Sequence, residues 1–522
     1  MESREAKLLP YGGMNISHAG RFVLTVCFLA FCLIYGAAFA LVAPSSLTAF
    51  AIPIVFVGLF VVWALPDMKR GPTRMLEICF DAFLLLLIIW PDYIALALPG
   101  LPWITVTRIT GLLLVVTLVT CLSVSNDFRK TMKLVLSSVP ILWKTVLIFA
   151  AIALVSVFPS REPEYSIDKF VSAQISWTAI FFISVYIFST GSRFERWARY
   201  LWFAALVVAA LGLVEYFESR LPWAGHIPSF LKIEDPSVLR SVQGIVRSAT
   251  GRYRVQGPFG SPLGFAEFVT LSIPFIVYFG IDKKQSLIVR LATVPSLALL
   301  LFVTIETNSR LGMVGWLFTF LLYPLIWAIK KWRTDKQSIL AALMIVGYPT
   351  FFCASVAATF FVGRIHALIW GNSGSEMAST AGRVVQYTKG LPMVLSHPVG
   401  YGIGMAAETL DYHEPSGLLT IDTYYLAVVL EYGILGFAVY YGMIAMSVVF
   451  AIRGELESSE SGSEPSLFAS IAISLINFLV IKSVFSQQGN HPLIFMMMGG
   501  VVSLTYLLRA QKKVGEPSCL SG

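Results

Sequence analysis

Residues 287–329 read LIVRLATVPSLALLLFVTIE-TNSR-LGMVGWLFTFLLYPLIWAI. Two long apolar runs flank a polar turn, Thr307-Asn308-Ser309-Arg310. A helix of about 20 such residues crosses roughly 30 Å of hydrocarbon. Neither run alternates in polarity, as the strands of a membrane β-barrel do. Lipid offers backbone polar groups no partners, so helix is the spanning element to expect. The segment therefore predicts a transmembrane hairpin with an arginine at its tip.

The same pattern recurs along the whole chain. Candidate spans fall at about 22–43, 47–65, 75–91, 103–124, 139–158, 172–190, 197–217, 262–281, 287–306, 311–329, 338–362, 419–451, 466–485 and 491–508. That is about fourteen. The 419–451 run is too long for one straight crossing, which implies tilt or a surface start. The third span is the shortest, and Trp90-Pro91 marks a re-entrant or interfacial stretch. Composition agrees: 57% of the 522 residues are hydrophobic and only 13% charged, against roughly a quarter charged in soluble domains. The expected fold is all-α, a polytopic transmembrane helical bundle.

Lysine and arginine set the expected orientation. With a cytoplasmic N-terminus, alternate loops carry Lys69/Arg70/Arg74, Arg129/Lys130/Lys133, Arg193/Arg196/Arg199, Lys283/Lys284/Arg290, Lys330/Lys331/Arg333/Lys336 and Arg509/Lys512/Lys513. The opposite short loops are almost free of them. Both termini are then cytoplasmic. The chain divides into a cytoplasmic segment 1–21, helices 22–217, an outer loop 218–261, helices 262–362, a long outer loop 363–418 with an amphipathic helix, helices 419–508 and a cytoplasmic tail 509–522. Ala38-Phe39-Ala40 resembles a signal-peptide cleavage site, but the polar lead before the first apolar run is long for one.

The net charge of +8 follows from the basic residues that fix topology and meet anionic membrane lipids. No basic soluble domain suggests nucleic acid. Cys27, Cys32, Cys79, Cys121, Cys353 and Cys519 have neither metal-ligand spacing nor a disulfide framework. No Walker motif, Gly-x-Gly-x-x-Gly or His-Glu-x-x-His occurs, and the cytoplasmic loops are too short for a nucleotide-binding domain.

The outer segments hold the chemistry. The first loop carries Arg220, Lys232, Arg240, Arg247, Arg252 and Arg254, the short turn carries Arg310, and the second loop carries Arg364, Arg383 and Lys389. Arginine holds phosphate or carboxylate bidentately, which lysine cannot do. Arg310 opposes the charge bias of short outer loops, and snorkelling to the interface is its structural alternative. Residues Thr380–Ser396 read as an amphipathic helix kinked at Pro392, with Val384, Tyr387, Leu391 and Val394 or Leu395 on one face and Arg383 and Gln386 on the polar side. His397-Pro398 ends it, Gly400-Tyr401-Gly402-Ile403-Gly404 turns the chain, and Asp411, His413, Glu414 and Asp422 follow. Glu267 sits just inside a span. Lys482 lies near a helix end, where a snorkelling lysine is expected.

Three segments resemble the O-antigen ligase and O-antigen polymerase superfamily of bacterial membrane glycosyltransferases. Arg254-Val255-Gln256-Gly257-Pro258-Phe259 looks like its Arg-x-x-Gly-x-Phe stretch. Ser309-Arg310-Leu311-Gly312 looks like its Ser-Arg-x-Gly turn. Gly382-Arg383 through His397–Gly404, then Asp422-Thr423-Tyr424-Tyr425-Leu426 and Glu431-Tyr432-Gly433-Ile434-Leu435-Gly436, looks like its late outer loop and following span. The likeness covers about 250–440. It implies a GT-C-like, metal-independent enzyme without a cofactor, in the bacterial inner membrane with its outer loops in the periplasm. The implied donor is an undecaprenyl-diphosphate-linked glycan and the acceptor a glycan or lipid A-core, with polysaccharide-assembly proteins as partners. Arg254, Arg310 and Arg383 are then the diphosphate contacts. Asp422 is the first candidate base and His413 the second. Where O-antigen ligases place a histidine, usually followed by Asn, this chain has Asp422-Thr423. That departure favours the polymerase-like or exopolysaccharide branch over the lipid A-core ligase. A transporter or flippase of a lipid-linked glycan or other solute is the rival, and a scaffold without chemistry is a third possibility. Transporters show repeats and midplane charges, whereas these charges gather at one surface.

Overall fold

The computed structural model describes residues 71–97, 103–233, 253–363, 374–413, 419–458, 466–484 and 486–515, with isolated positions between Val57 and Met68 and at Val238, Leu239, Val242 and Gly417. The 22–43 span, most of 47–65, the Ala38-Phe39-Ala40 site, Arg240, Arg247, Arg252, Arg364 and Glu414 lie outside the described residues.

The chain is a multi-pass helical membrane protein. Its elements are α1 (Thr73–Ile89), β1 (Ile94–Leu96), α2 (Val106–Val124), α3 (Asn126–Leu136), α4 (Pro140–Val155), α5 (Pro163–Ala173), α6 (Ala179–Ile187), α7 (Gly191–Glu218), β2 (Leu231–Ile233), α8 (Pro262–Ile281), α9 (Leu287–Glu306), α10 (Arg310–Thr334), α11 (Ile339–Phe361), α12 (Gly374–Ser396), α13 (Ala406–Leu410), α14 (Tyr424–Glu457), α15 (Leu467–Ile481) and α16 (His491–Gly515). Among the described residues, 8 helices are long and apolar enough to cross a membrane, or up to 9 if the bent α3–α4 pair is one span. The exterior is apolar: Ile288 is 80% exposed and Val346 72%. In water such a surface would aggregate, whereas in a bilayer it meets acyl chains.

Helix α8 is the centre of the bundle. Every residue from Gly264 to Val277 is buried, as befits a helix apolar on all sides. It packs on α7, α9, α10 and α15. Buried polar groups tie these helices together: Ser474 Oγ donates to the Leu271 carbonyl at 2.8 Å and Asn477 Nδ2 to Thr319 Oγ1 at 2.9 Å. Such interhelical bonds and small contact residues replace the hydrophobic drive that lipid cannot supply.

Several spans differ in detail from the sequence expectation. The basic stretch 126–136 is a helix, bent 103° from α4 and capped by Ser125. Helices α5 and α6 join through a π turn at Gln174–Thr178, so the span starts at Pro163. The long 419–451 run is broken at Gly433, which has φ 71° inside α14.

Contacts sort the connections into two ends. At one end, Glu77 pairs with Arg193 at 2.7 Å, Gln285 bonds Glu195, and Lys330 pairs with Glu455 at 2.9 Å. At the other, β1 pairs with β2, the Val255 N–H bonds the Glu306 carbonyl, Ser166 bonds the Ile403 carbonyl, and Tyr424 meets Lys482. This second end carries Arg310 and every described candidate site residue.

Candidate functional site

Arg254 and Arg310 are brought together by a clamped loop. Glu215, near the end of α7 and fully buried, accepts hydrogen bonds from Tyr253 Oη at 2.7 Å, the Gln256 N–H at 3.1 Å and the Gly257 N–H at 2.7 Å. A buried carboxylate needs such donors. Burial and the Glu215 charge push the Tyr253 hydroxyl above the usual phenol range, so it remains a donor. From the other side, the Val255 N–H reaches the Glu306 carbonyl at 3.1 Å. Arg254 Nε then donates to the Thr307 carbonyl at 2.8 Å. Asn308 takes φ 48°, and Ser309 caps α10 by accepting from the Gly312 N–H at 3.2 Å. Arg310 is therefore the first residue of α10, at a helix N-terminus whose partial positive charge adds to its own. Sequence reasoning missed Glu215, which lies within a span-like run; its signal was a lone acid in apolar surroundings.

Asp422 is held by α12. Gln386, fully buried, accepts the Asp422 N–H on its Oε1 at 2.9 Å. One residue on, Tyr387 Oη and Thr423 Oγ1 lie 3.1 Å apart. The buried line of α12 is Gly382, Gln386, Gly390 and Val394, one position per turn. The glycines admit neighbours: Tyr412 lies over Gly382 and Leu426 over Gly390. Of the apolar residues singled out in the sequence, Tyr387 and Val394 pack inward, while Val384 is 60%, Leu391 53% and Leu395 76% exposed. Gln386 thus belongs to the packed face, not to a solvated one, and Arg383 stands half-buried one turn before it.

The glycine turn and the break in α14 are one joint. At Gly433 the helix loses its ladder, which leaves carbonyls without helical partners. The Tyr401 N–H reaches the Leu430 carbonyl at 2.8 Å and the Gly402 N–H reaches that of Glu431 at 3.2 Å. In return the Ile434 N–H reaches the Pro398 carbonyl at 3.0 Å. A side chain on Gly433 would collide with that carbonyl, and one on Gly400 would come 2.5 Å from the Glu431 oxygen. The motifs His397–Gly404 and Glu431–Gly436, far apart in sequence, therefore form a single unit that orients the start of α14.

The remaining candidates differ in their surroundings. His413 is 55% exposed and lies 3.6 Å from Asp411. His397 packs on Tyr401 with Nδ1 2.9 Å from its hydroxyl, a helix-end role. Lys482 does not snorkel. It is fully buried and paired with Glu267, also fully buried, at 2.9 Å. The carboxylate compensates the buried charge.

Residues 295–441 match the family model described as O-antigen ligase. The match supports the O-antigen ligase and polymerase superfamily for this chain. It contains Arg310, Arg383 and Asp422, the glycine turn and the broken helix, and it stops short of the Arg254 loop. No curated protein matches the chain.

Proposed function

We propose that this protein is a membrane glycosyltransferase that transfers or polymerises glycan from an undecaprenyl-diphosphate-linked donor. It acts on the periplasmic face of the bacterial inner membrane in O-antigen or exopolysaccharide assembly, polymerase-like rather than a lipid A-core ligase. The observation that carries it is the placement of the family-matched residues: Arg310 at a helix N-terminus and Asp422, its backbone N–H held by Gln386, at the same end of the bundle. Arg254 and Arg310 bind the donor diphosphate and stabilise the charge that grows on it. Asp422 accepts the proton of an acceptor hydroxyl. The acceptor oxygen bonds the anomeric carbon, the bond from that carbon to the diphosphate oxygen breaks, and the lipid diphosphate leaves with the electron pair.

The test is glycan profiling in a deletion strain complemented with wild type, Arg310→Ala or Asp422→Asn at matched expression. Loss of long polymer with short lipid-linked units remaining, unrescued by either variant, is expected. Accumulated full-length polymer that fails to reach lipid A would instead identify a ligase. An unchanged profile in the deletion strain would overturn the transferase and redirect attention to transport.

A further inference from the structure

The arginine-bearing half and the Asp422 half of the site meet at a buried ion pair. Lys482 Nζ lies 2.9 Å from Glu267 Oε1 and 3.1 Å from Oε2, and it also donates to the Gln487 carbonyl. Its charge lies 5.1 Å from the Tyr424 ring and 5.2 Å from the Phe478 ring. Asn490 Nδ2 donates to the Gly264 carbonyl at 2.9 Å. His491, fully buried, donates from Nδ1 to the Gln488 carbonyl at 2.8 Å and stacks on Trp177 at 5.1 Å. Trp177 is presented from the π turn, a local widening often found at functional sites.

Each member of the pair is linked through the backbone or a chain neighbour to one half of the site. Glu267 follows Ala266, against which Gly312 of α10 packs two residues after Arg310. Leu311 and Val484 join the same small apolar cluster. On the other side, the backbone carbonyl of Lys482 accepts the Tyr424 N–H at 3.2 Å, two residues beyond Asp422. An ion pair so deeply buried is costly to form, and replacing both charges with apolar groups is often neutral or stabilising. Packing alone therefore gives no reason for its presence.

We propose that Glu267 and Lys482 are positioning residues of the transfer site, fixing the separation between the Arg310 turn and Asp422. The inference rests on the assignment of Asp422 as base. The pair holds the Lys482 carbonyl where it anchors the first turn of α14, and it ties that anchor to α8 and α10. Neither residue touches the reacting atoms.

The experiment uses the full chain in lipid nanodiscs and the double variant Glu267→Leu/Lys482→Met, which leaves no buried charge unpaired. Amide exchange at Tyr424 is expected to rise about tenfold or more, because its acceptor is released. The kcat for transfer from a lipid-diphosphate-linked glycan is expected to fall about tenfold or more, with donor KM within about twofold of wild type and the unfolding midpoint retained. Wild-type exchange and wild-type kcat in the double variant would overturn the proposal. Should that variant fail to insert, Glu267→Asp keeps both charges and retracts the carboxylate by one methylene. The same two readouts then decide, with unchanged exchange and kcat again overturning the inference. Absence of transfer by the wild-type protein would instead sink the glycosyltransferase assignment, while the exchange measurement would still decide whether the pair holds α14.

Discussion

Gln386 and Asp422, 36 residues apart in sequence, share a 2.9 Å hydrogen bond in which the Gln386 side-chain oxygen accepts the Asp422 backbone N–H. The bond fixes the backbone of the candidate base, not its carboxylate. Gln386→Leu keeps the volume and removes the acceptor, leaving a partly buried N–H unpaired. Transfer kcat is expected to fall about tenfold, roughly 1.4 kcal/mol in the barrier. Donor KM should stay near wild type. Gln386→Glu restores the acceptor oxygen and is expected to recover most of the rate. Steady-state kinetics on the purified protein checks both.

The Arg254 loop hangs on Glu215, which accepts from Tyr253, Gln256 and Gly257. Glu215→Ala strands those donors and is expected to destabilise the protein by about 1–3 kcal/mol. Loosening the loop should also raise donor KM more than it lowers kcat, because Arg254 is placed on the donor. Tyr253→Phe removes one donor of the set and should show a smaller change in the same direction. A lower unfolding midpoint with an unaltered KM would separate the loop from donor binding.

How much of this was legible in the sequence depends on what each residue contacts. The hairpin 287–329 was legible because apolar length and a polar turn are local properties, and α9 and α10 follow it closely. The 262–281 span matches α8, which Ser261 caps ahead of Pro262 at the first helical position. Arg254, Arg310 and Arg383 stood out as arginines in segments read as outer loops, and Asp422 through the family resemblance; all four lie in the connections at one end of the bundle. The links between them could not be read. Glu215, Gln386 and the Glu267–Lys482 pair act through partners brought near only by packing. The joint at Gly433 is the sharpest instance: its glycine is explained by a carbonyl at Pro398, which no local pattern reveals.

That joint makes a direct prediction. Gly433 has φ 71° and Gly400 φ 95°, a region L side chains avoid. Gly433→Ala adds a collision with the Pro398 carbonyl. The expected cost is at least about 1–3 kcal/mol from backbone strain alone, seen as a lower unfolding midpoint and reduced membrane yield. By contrast Gly442→Ala meets nothing within 4 Å on the same helix and should be neutral or slightly stabilising. Equal effects at both positions would remove the joint's special status.

The two base candidates can be separated by their surroundings. His413 is 55% exposed, lies 3.6 Å from Asp411, and belongs to a loop edge bridged to Leu419. A base must be held within hydrogen-bond reach of one proton, directly or through one water. An exposed ring on a loop edge is poorly held, whereas Asp422 has its backbone fixed by Gln386 and is followed by Thr423 and Tyr424, both buried and bonded. Asp422→Asn is isosteric and keeps that backbone bond, so its effect reports on the carboxylate itself. It is expected to lower kcat by about 10²–10⁴ at wild-type stability. His413→Ala is expected to change kcat by less than about threefold, because exposed side chains away from the reacting atoms rarely carry more than a few tenths of a kcal/mol. Single-turnover measurements with saturating donor give the chemical step directly. If His413→Ala abolished that step while Asp422→Asn spared it, the roles would be reversed.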